Sequence, residues 1–261
     1  MSGQPVQAHR PVAHTDSALR LLWLAATVGG FLVGTALTLS LTQVIAYFLQ
    51  IADAPLMKLA AWLVWLAGTG SLMALGQLLV LRRYLPGVEA SRWVPALILS
   101  VAAGWGLSFF TLVMQSVALS PINSPLFEAY IRNIPPEPTD INIPLLALIF
   151  ALSLGVVVVI AALLGGITGL AQELVLERHV RDARWWVAAT TWSWAAGFLA
   201  AFIAGAALLF SLPRPVLYDD GTWNSLVLVN GGVALFTIAA LSCSPLVRLV
   251  GNSHAGWAED I

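Results

Sequence analysis

Few residues in this 261-residue chain are of a type that does chemistry, and their positions narrow the options. The four histidines are His9, His14, His179 and His254, all in polar stretches. None is placed to ligate a haem between apolar helices. A single cysteine, Cys243, excludes an intrachain disulfide and a cysteine-based metal cluster. Glu173 and Glu177 stand four residues apart and share one face of a helix. Carboxylates so paired can hold a proton or a cation, but arginines crowd the adjacent turns, and ion pairing is the expectation. HExxH, GxSxG, GxxxxGK[ST] and GxGxxG are all missing. The expectation is therefore a protein that is not an enzyme and has no cofactor or metal.

Two other polar sets recur at regular places. Gln77 and Gln172 each stand six residues before an arginine, Arg83 and Arg178. Arg82, Arg83, Arg92, Arg178, Arg181 and Arg184 concentrate in two short segments, "RRYLPGVEASR" and "ERHVRDAR". Arginines at helix C-termini offset the helix dipole and meet anionic headgroups. The six guanidiniums are thus either helix stops and topology signals or a site for an anion or lipid headgroup.

The elements that must carry these residues follow from composition. Hydrophobic residues make up 59% of the chain and charged residues 10%, with mean hydropathy +0.86. Soluble domains carry about 25% charged residues, so a soluble globule is excluded, and so is disorder. The formal net charge of −1 gives no basic field for nucleic acid. A spanning helix needs about 20 apolar residues. Six stretches qualify: 21–50, 57–81, 93–119, 143–176, 185–212 and 225–250. The expected fold is all-α, an integral membrane six-helix bundle forming one domain over 21–250, with polar tails at 1–20 and 251–261. The first apolar stretch is too long for a cleaved signal peptide and is expected to be retained.

Three irregularities are expected. The stretch 143–176 must tilt, project or break, with Gly165-Gly166 as the weak point. Pro245 is expected to bend or end the sixth helix. Residues 120–142 hold Pro121, Pro125, Pro135, Pro136 and Pro138. They read as an outer loop containing one short surface helix after Ser124-Pro125. Lys and Arg divide nine to three across the spans, with Lys58, Arg132 and Arg214 on the poorer side. The positive-inside rule then places both termini in the cytoplasm.

"GSLMALGQLLVLRRYL" and "GGITGLAQELVLERHV" align over their length, and each is followed by Arg-Trp, Arg92-Trp93 and Arg184-Trp185. "ALSCSPLVRLV" is a weaker third copy, with Ser242 in place of Gln and Arg248 in place of Arg. The parse is three tandem helical hairpins inserted in one sense. Gly30–Gly34, Gly165–Gly169 and Gly197–Ala201 put small residues on one helix face, for packing within the bundle or against a second subunit.

This pattern, Gly and Gln before a Leu-Arg helix end and Arg-Trp after the turn, resembles a set of uncharacterised multi-pass bacterial membrane proteins built from tandem helical hairpins. The stretch "GITGLAQELVLERHVRDARWWV" carries the resemblance most fully, and 70–109 more loosely. It implies a bacterial plasma (inner) membrane and carries no activity. Three functions remain open. The first is a packing, accessory or scaffold protein that meets a copy of itself or a partner membrane subunit. The second is a carrier or channel for an apolar or neutral solute, along Trp105, Gln115, Trp192, Trp194 and Asn230. The third is an inner-leaflet protein that binds anionic membrane lipid.

Overall fold

A computed structural model describes residues 14–49, 55–85, 87–132, 143–180, 183–211 and 220–255. Six helices make up the fold: α1 (His14–Leu49), α2 (Pro55–Tyr84), α3 (Ala90–Arg132), α4 (Ile143–Leu176), α5 (Arg184–Ser211) and α6 (Asp220–Ala255). Each contains a window long and apolar enough to cross a membrane, and no strand occurs among the described residues. This is an all-helical, multi-pass membrane protein. Helices are the solution because every backbone N–H and C=O is then satisfied within its own segment, where no water is available.

The helices pack in chain order, each against the next, and α6 returns to pack against α1. The result is a closed ring, with α3 also touching α5 and α6 across it. Large aromatic and branched side chains point inward, among them Trp23, Trp93, Trp186, Phe198 and Phe202, all nearly inaccessible. The outside carries leucines, valines and isoleucines. On α4 this is extreme: its apolar window has mean hydropathy 3.0, and only 17% of it is buried inside the protein. Such a surface is stable in lipid and not in water.

The structure narrows three expectations. The helix α3 does not end near Leu119: it continues through Pro121 and Pro125 to Arg132. No separate short surface helix follows Ser124-Pro125, and of the expected loop 120–142 only 133–142 lies outside the described residues. Proline is tolerated in spanning helices where neighbouring groups satisfy the carbonyls it frees. Pro245 likewise sits inside α6, which runs ten residues further to Ala255. The glycine pair Gly165-Gly166 does not break α4, which is continuous over 34 residues. Its length of about 51 Å at 1.5 Å per residue exceeds a hydrocarbon core of about 30 Å. Helical structure also extends past the apolar limits, taking in part of each expected tail.

The two described turns between helices lie at the same end of the ring, here the turn end. In the α2–α3 turn Gly87 has φ +109, a conformation that a side chain resists. The Arg82 guanidinium donates to Val88 O across that turn at 3.2 Å. A Cβ at Gly87 would lie 3.3 Å from His179 Cε1, so the α2–α3 and α4–α5 turns rest on each other.

Candidate functional site

The repeated amides both lie inside the ring. Gln77, on the last turns of α2, is 5% exposed, and Gln172 on α4 is 7% exposed. Both line a central cavity of about 100 Å³, as does Ser242 of α6. Three of the helices thus each bring a polar side chain to one level, near the turn end. Gln77 Nε2 donates to Thr27 Oγ1 of α1 at 2.8 Å. The Trp186 indole of α5 donates to Gln172 Oε1 at 2.6 Å. Trp23 of α1 donates to Ser242 Oγ at 3.1 Å. Two of these bonds share a form: an indole near the start of an odd helix donates to a polar side chain near the end of an even one.

Trp23 and Trp186 also meet edge to face, with ring centroids 6.1 Å apart and planes at 85°. They lie at the turn end of the cavity lining and form its floor. Further along, the walls turn aromatic. Trp105 stacks on Phe31 at 6.4 Å, and its other neighbour, Trp65, meets it edge-on at 4.1 Å. Trp194 and Phe198 face in from α5. Ser100, Ser108, Thr190 and Ser193 add hydroxyls, three of which are bonded to their own helices. No charged side chain lines the cavity among the described residues.

Beyond Ser108, away from the turn end, a polar cluster ties three helices together. Gln115 and Asn230 are both fully buried. Asn230 Nδ2 donates to Gln115 Oε1 at 3.0 Å. Gln115 Nε2 donates to Phe202 O at 2.9 Å and Ala201 O at 3.1 Å on α5. This joins α3, α5 and α6 where a side chain on Gly205 would collide with both amides.

Toward the turn end, the buried polar atoms Gln77 Oε1 and Trp93 Nε1 have no partner among the described residues. An unmade hydrogen bond on a buried group costs about 1–3 kcal/mol, so such atoms mark places where something else belongs.

No family model, no curated protein and no solved structure matches the chain. The site must be read from its own geometry.

The small-residue motifs are spent inside the ring. A Cβ on Gly30 or Gly34 would lie 2.7 Å from Met73 Cα or 2.8 Å from Thr69 Cα, so α1 meets α2 backbone to backbone there. Gly165 admits Trp194 and Gly169 admits Val187, both of α5. Gly197 lies against Ala234 O of α6, and Ala201 is fully buried. These residues set helix separation, which is the ordinary use of the motif.

The arginines lie in and around the two adjoining turns. Arg82 is bonded across its own turn, and Arg92 pairs with Glu89 at 2.9 Å on the surface. Arg83, Arg178 and Arg184 are exposed, and Arg181 lies outside the described residues. Arg248 sits 5.9 Å from the Trp185 ring centroid. Among the described residues no group of His, Cys, Asp and Glu could hold a metal ion.

Of the residues expected along a solute path, Trp105 and Trp194 line the cavity. Gln115 and Asn230 do not line it and are bonded to each other instead. Trp192 is 75% exposed on the outer surface of α5. It lies two residues from Trp194, about 200° around the helix. Missed from sequence were Trp23, Thr27, Phe31 and Trp186. They contribute through ring closure, which no local pattern reports.

Proposed function

We propose that this protein takes a small neutral solute into the ring of helices and acts as its carrier across the membrane. The observation that supports this best is the uncharged cavity, with hydrogen-bonding groups at the turn end and aromatic walls beyond. An ion moved there would lose its hydration with no opposite charge to replace it. A neutral molecule loses only hydrogen bonds, and the amides and hydroxyls can return them. The Trp23–Trp186 pair is the gate at the turn end, and the Gln115–Asn230 cluster is the gate at the far end. In this reading the described state has its far end shut.

The reading includes a non-enzymatic role and three tandem hairpins, each contributing one polar residue: Gln77, Gln172 and Ser242. It also places the chain in a bacterial inner membrane with both termini in the cytoplasm, as the nine-to-three arginine and lysine split favours. The scaffold reading has less support. Its motivating glycines are occupied by neighbouring helices of the same chain. The lipid-binding reading has less again, because two of its arginines are engaged locally.

Native mass spectrometry of protein released from mild detergent tests the proposal. Wild type should carry a small neutral adduct. A Gly104→Leu variant, which puts a side chain into the cavity beside Trp194, should lose it. Only lipid adducts, equal in both proteins, would refute the carrier reading.

A further inference from the structure

The amide of Gln172 is held in one sense, and that sense leaves its donors over. Its Oε1 accepts the Trp186 indole N–H at 2.6 Å. An indole can only donate, so the amide oxygen is the atom that faces it, and Nε2 points elsewhere. The Gln77 amide has no such direction, because the Thr27 hydroxyl opposite it can donate or accept. The two N–H groups of Gln172 Nε2 meet no acceptor among the described residues. Gln172 is only 7% exposed and lines the cavity. Gln77 Oε1 is shut off inside the protein, whereas Gln172 Nε2 keeps accessible surface, and the space its side chain borders is the cavity. A buried amide N–H needs an acceptor. The chain supplies none here, so the acceptor comes with the solute.

The rest of the wall limits the molecule that carries this acceptor. An engineered cavity of about 150 Å³ binds benzene, about 25 Å³ for each of its six carbons. At the same filling, a cavity of about 100 Å³ takes about four non-hydrogen atoms. The lining has no charged side chain among the described residues, which disfavours a carboxylate although it is an acceptor. Ser193 of α5 is 2% exposed, lines the same cavity, and makes no hydrogen bond among the described residues. Its hydroxyl donates or accepts, so it serves either kind of end group, and the selection for an acceptor rests with Gln172.

Building on the carrier reading, we infer that the solute is a small uncharged carbonyl compound, a ketone, carboxamide or urea of about four non-hydrogen atoms, whose oxygen accepts the free N–H groups of Gln172. The remainder of the solute lies against the aromatic wall of Trp194 and Phe198.

Three probes of one shape separate the possibilities. Acetone has an acceptor, 2-methylpropene has no polar atom, and acetate is charged. Each is titrated into purified protein in deuterated detergent and followed by saturation-transfer NMR at its methyl groups, with protein-free micelles as the blank. Water solvates the probes unequally, so each affinity is compared between proteins and not between probes. Trp186→Phe keeps the Gln172 donors. Adding Gln172→Met keeps the side-chain length and removes them, with no indole N–H left to substitute. Acetone should bind the double variant about tenfold more weakly than Trp186→Phe, and 2-methylpropene should bind both within twofold. Acetate should bind no form of the protein. A wild-type measurement stands even if the variants fail to fold. The carbonyl carbon of labelled acetone, extrapolated to the bound state, should resonate near its position in water, where it is hydrogen-bonded, and not near its position in hexane. A hexane-like carbonyl, or equal changes for acetone and 2-methylpropene, would overturn the acceptor assignment and leave the neutral cavity intact. No saturable binding of either neutral probe would overturn both.

Discussion

Substituting Gly205 by alanine tests the far-end cluster by adding one methyl group. A Cβ there falls inside the contact distance of Asn230 Oδ1 and of both Gln115 amide atoms. In an open part of a helix, glycine to alanine gains about 1 kcal/mol of helix propensity. At Gly205 that gain is opposed by three costs. Overpacking a filled site costs about 1–3 kcal/mol. The bonds from Asn230 to Gln115 and from Gln115 to Phe202 O are strained or lost. At about 0.6 kcal/mol each, the average for interhelical bonds in a membrane protein, they add roughly 1 kcal/mol. Stranding either amide in a fully buried place adds about 1–3 kcal/mol more. The net expectation is destabilisation by about 2–6 kcal/mol after the propensity gain. Gly232, on α6 near Asn230, is the control, since a Cβ there meets nothing within 4 Å. Gly232→Ala should be neutral or stabilising by up to about 1 kcal/mol. Both variants would be unfolded by denaturant in one detergent, with Asn230→Ala and the Gly205→Ala/Asn230→Ala pair completing a cycle. Removing the Asn230 side chain makes room, so the double variant should recover about 1 kcal/mol or more of the loss. If Gly205→Ala and Gly232→Ala were equally stable, the account of the cluster would be wrong.

Four further outcomes are expected. Trp186→Phe keeps the ring but removes the donor to Gln172, and should cost about 1–2 kcal/mol by denaturant titration. Trp192→Phe, on the outer surface, should stay within about 0.5 kcal/mol of wild type. Gly87→Ala forces a side chain into a positive-φ turn against His179 and should cost about 1–2 kcal/mol, read as a lowered midpoint. Val159→Arg places a charge on the exposed face of α4 at mid-span. It should raise the insertion free energy by about 3 kcal/mol, measured as insertion efficiency of that helix in microsomes.

The long apolar stretches made the helices legible from sequence, most clearly α4, whose limits at Ile143 and Leu176 coincide with the hydropathy limits. The ends of α3 and α6 were harder, because the prolines that read as stops are accommodated inside them. The two glutamines stood out as a recurring pair. Their convergence on one cavity with Ser242 was not legible, because it depends on α6 returning to α1. The tryptophans show the same limit at single-residue scale. Aligning Arg92-Trp93 with Arg184-Trp185 pairs a buried indole with one that is 68% exposed. The buried counterpart of Trp93 is Trp186, one residue on and about 100° around the helix.

Closure of the ring between α1 and α6 is what brings residues of all six helices around one cavity, and the native cysteine offers a direct test. Cys243 Sγ lies 3.6 Å from Arg20 O. An Arg20→Cys variant treated in membranes with a short, membrane-permeant bifunctional thiol reagent should join residues 20 and 243 within one chain. Peptide mapping would show the link, and Cys243→Ala in the same background would abolish it. Failure to link these positions, or links found only between different chains, would contradict the closed ring.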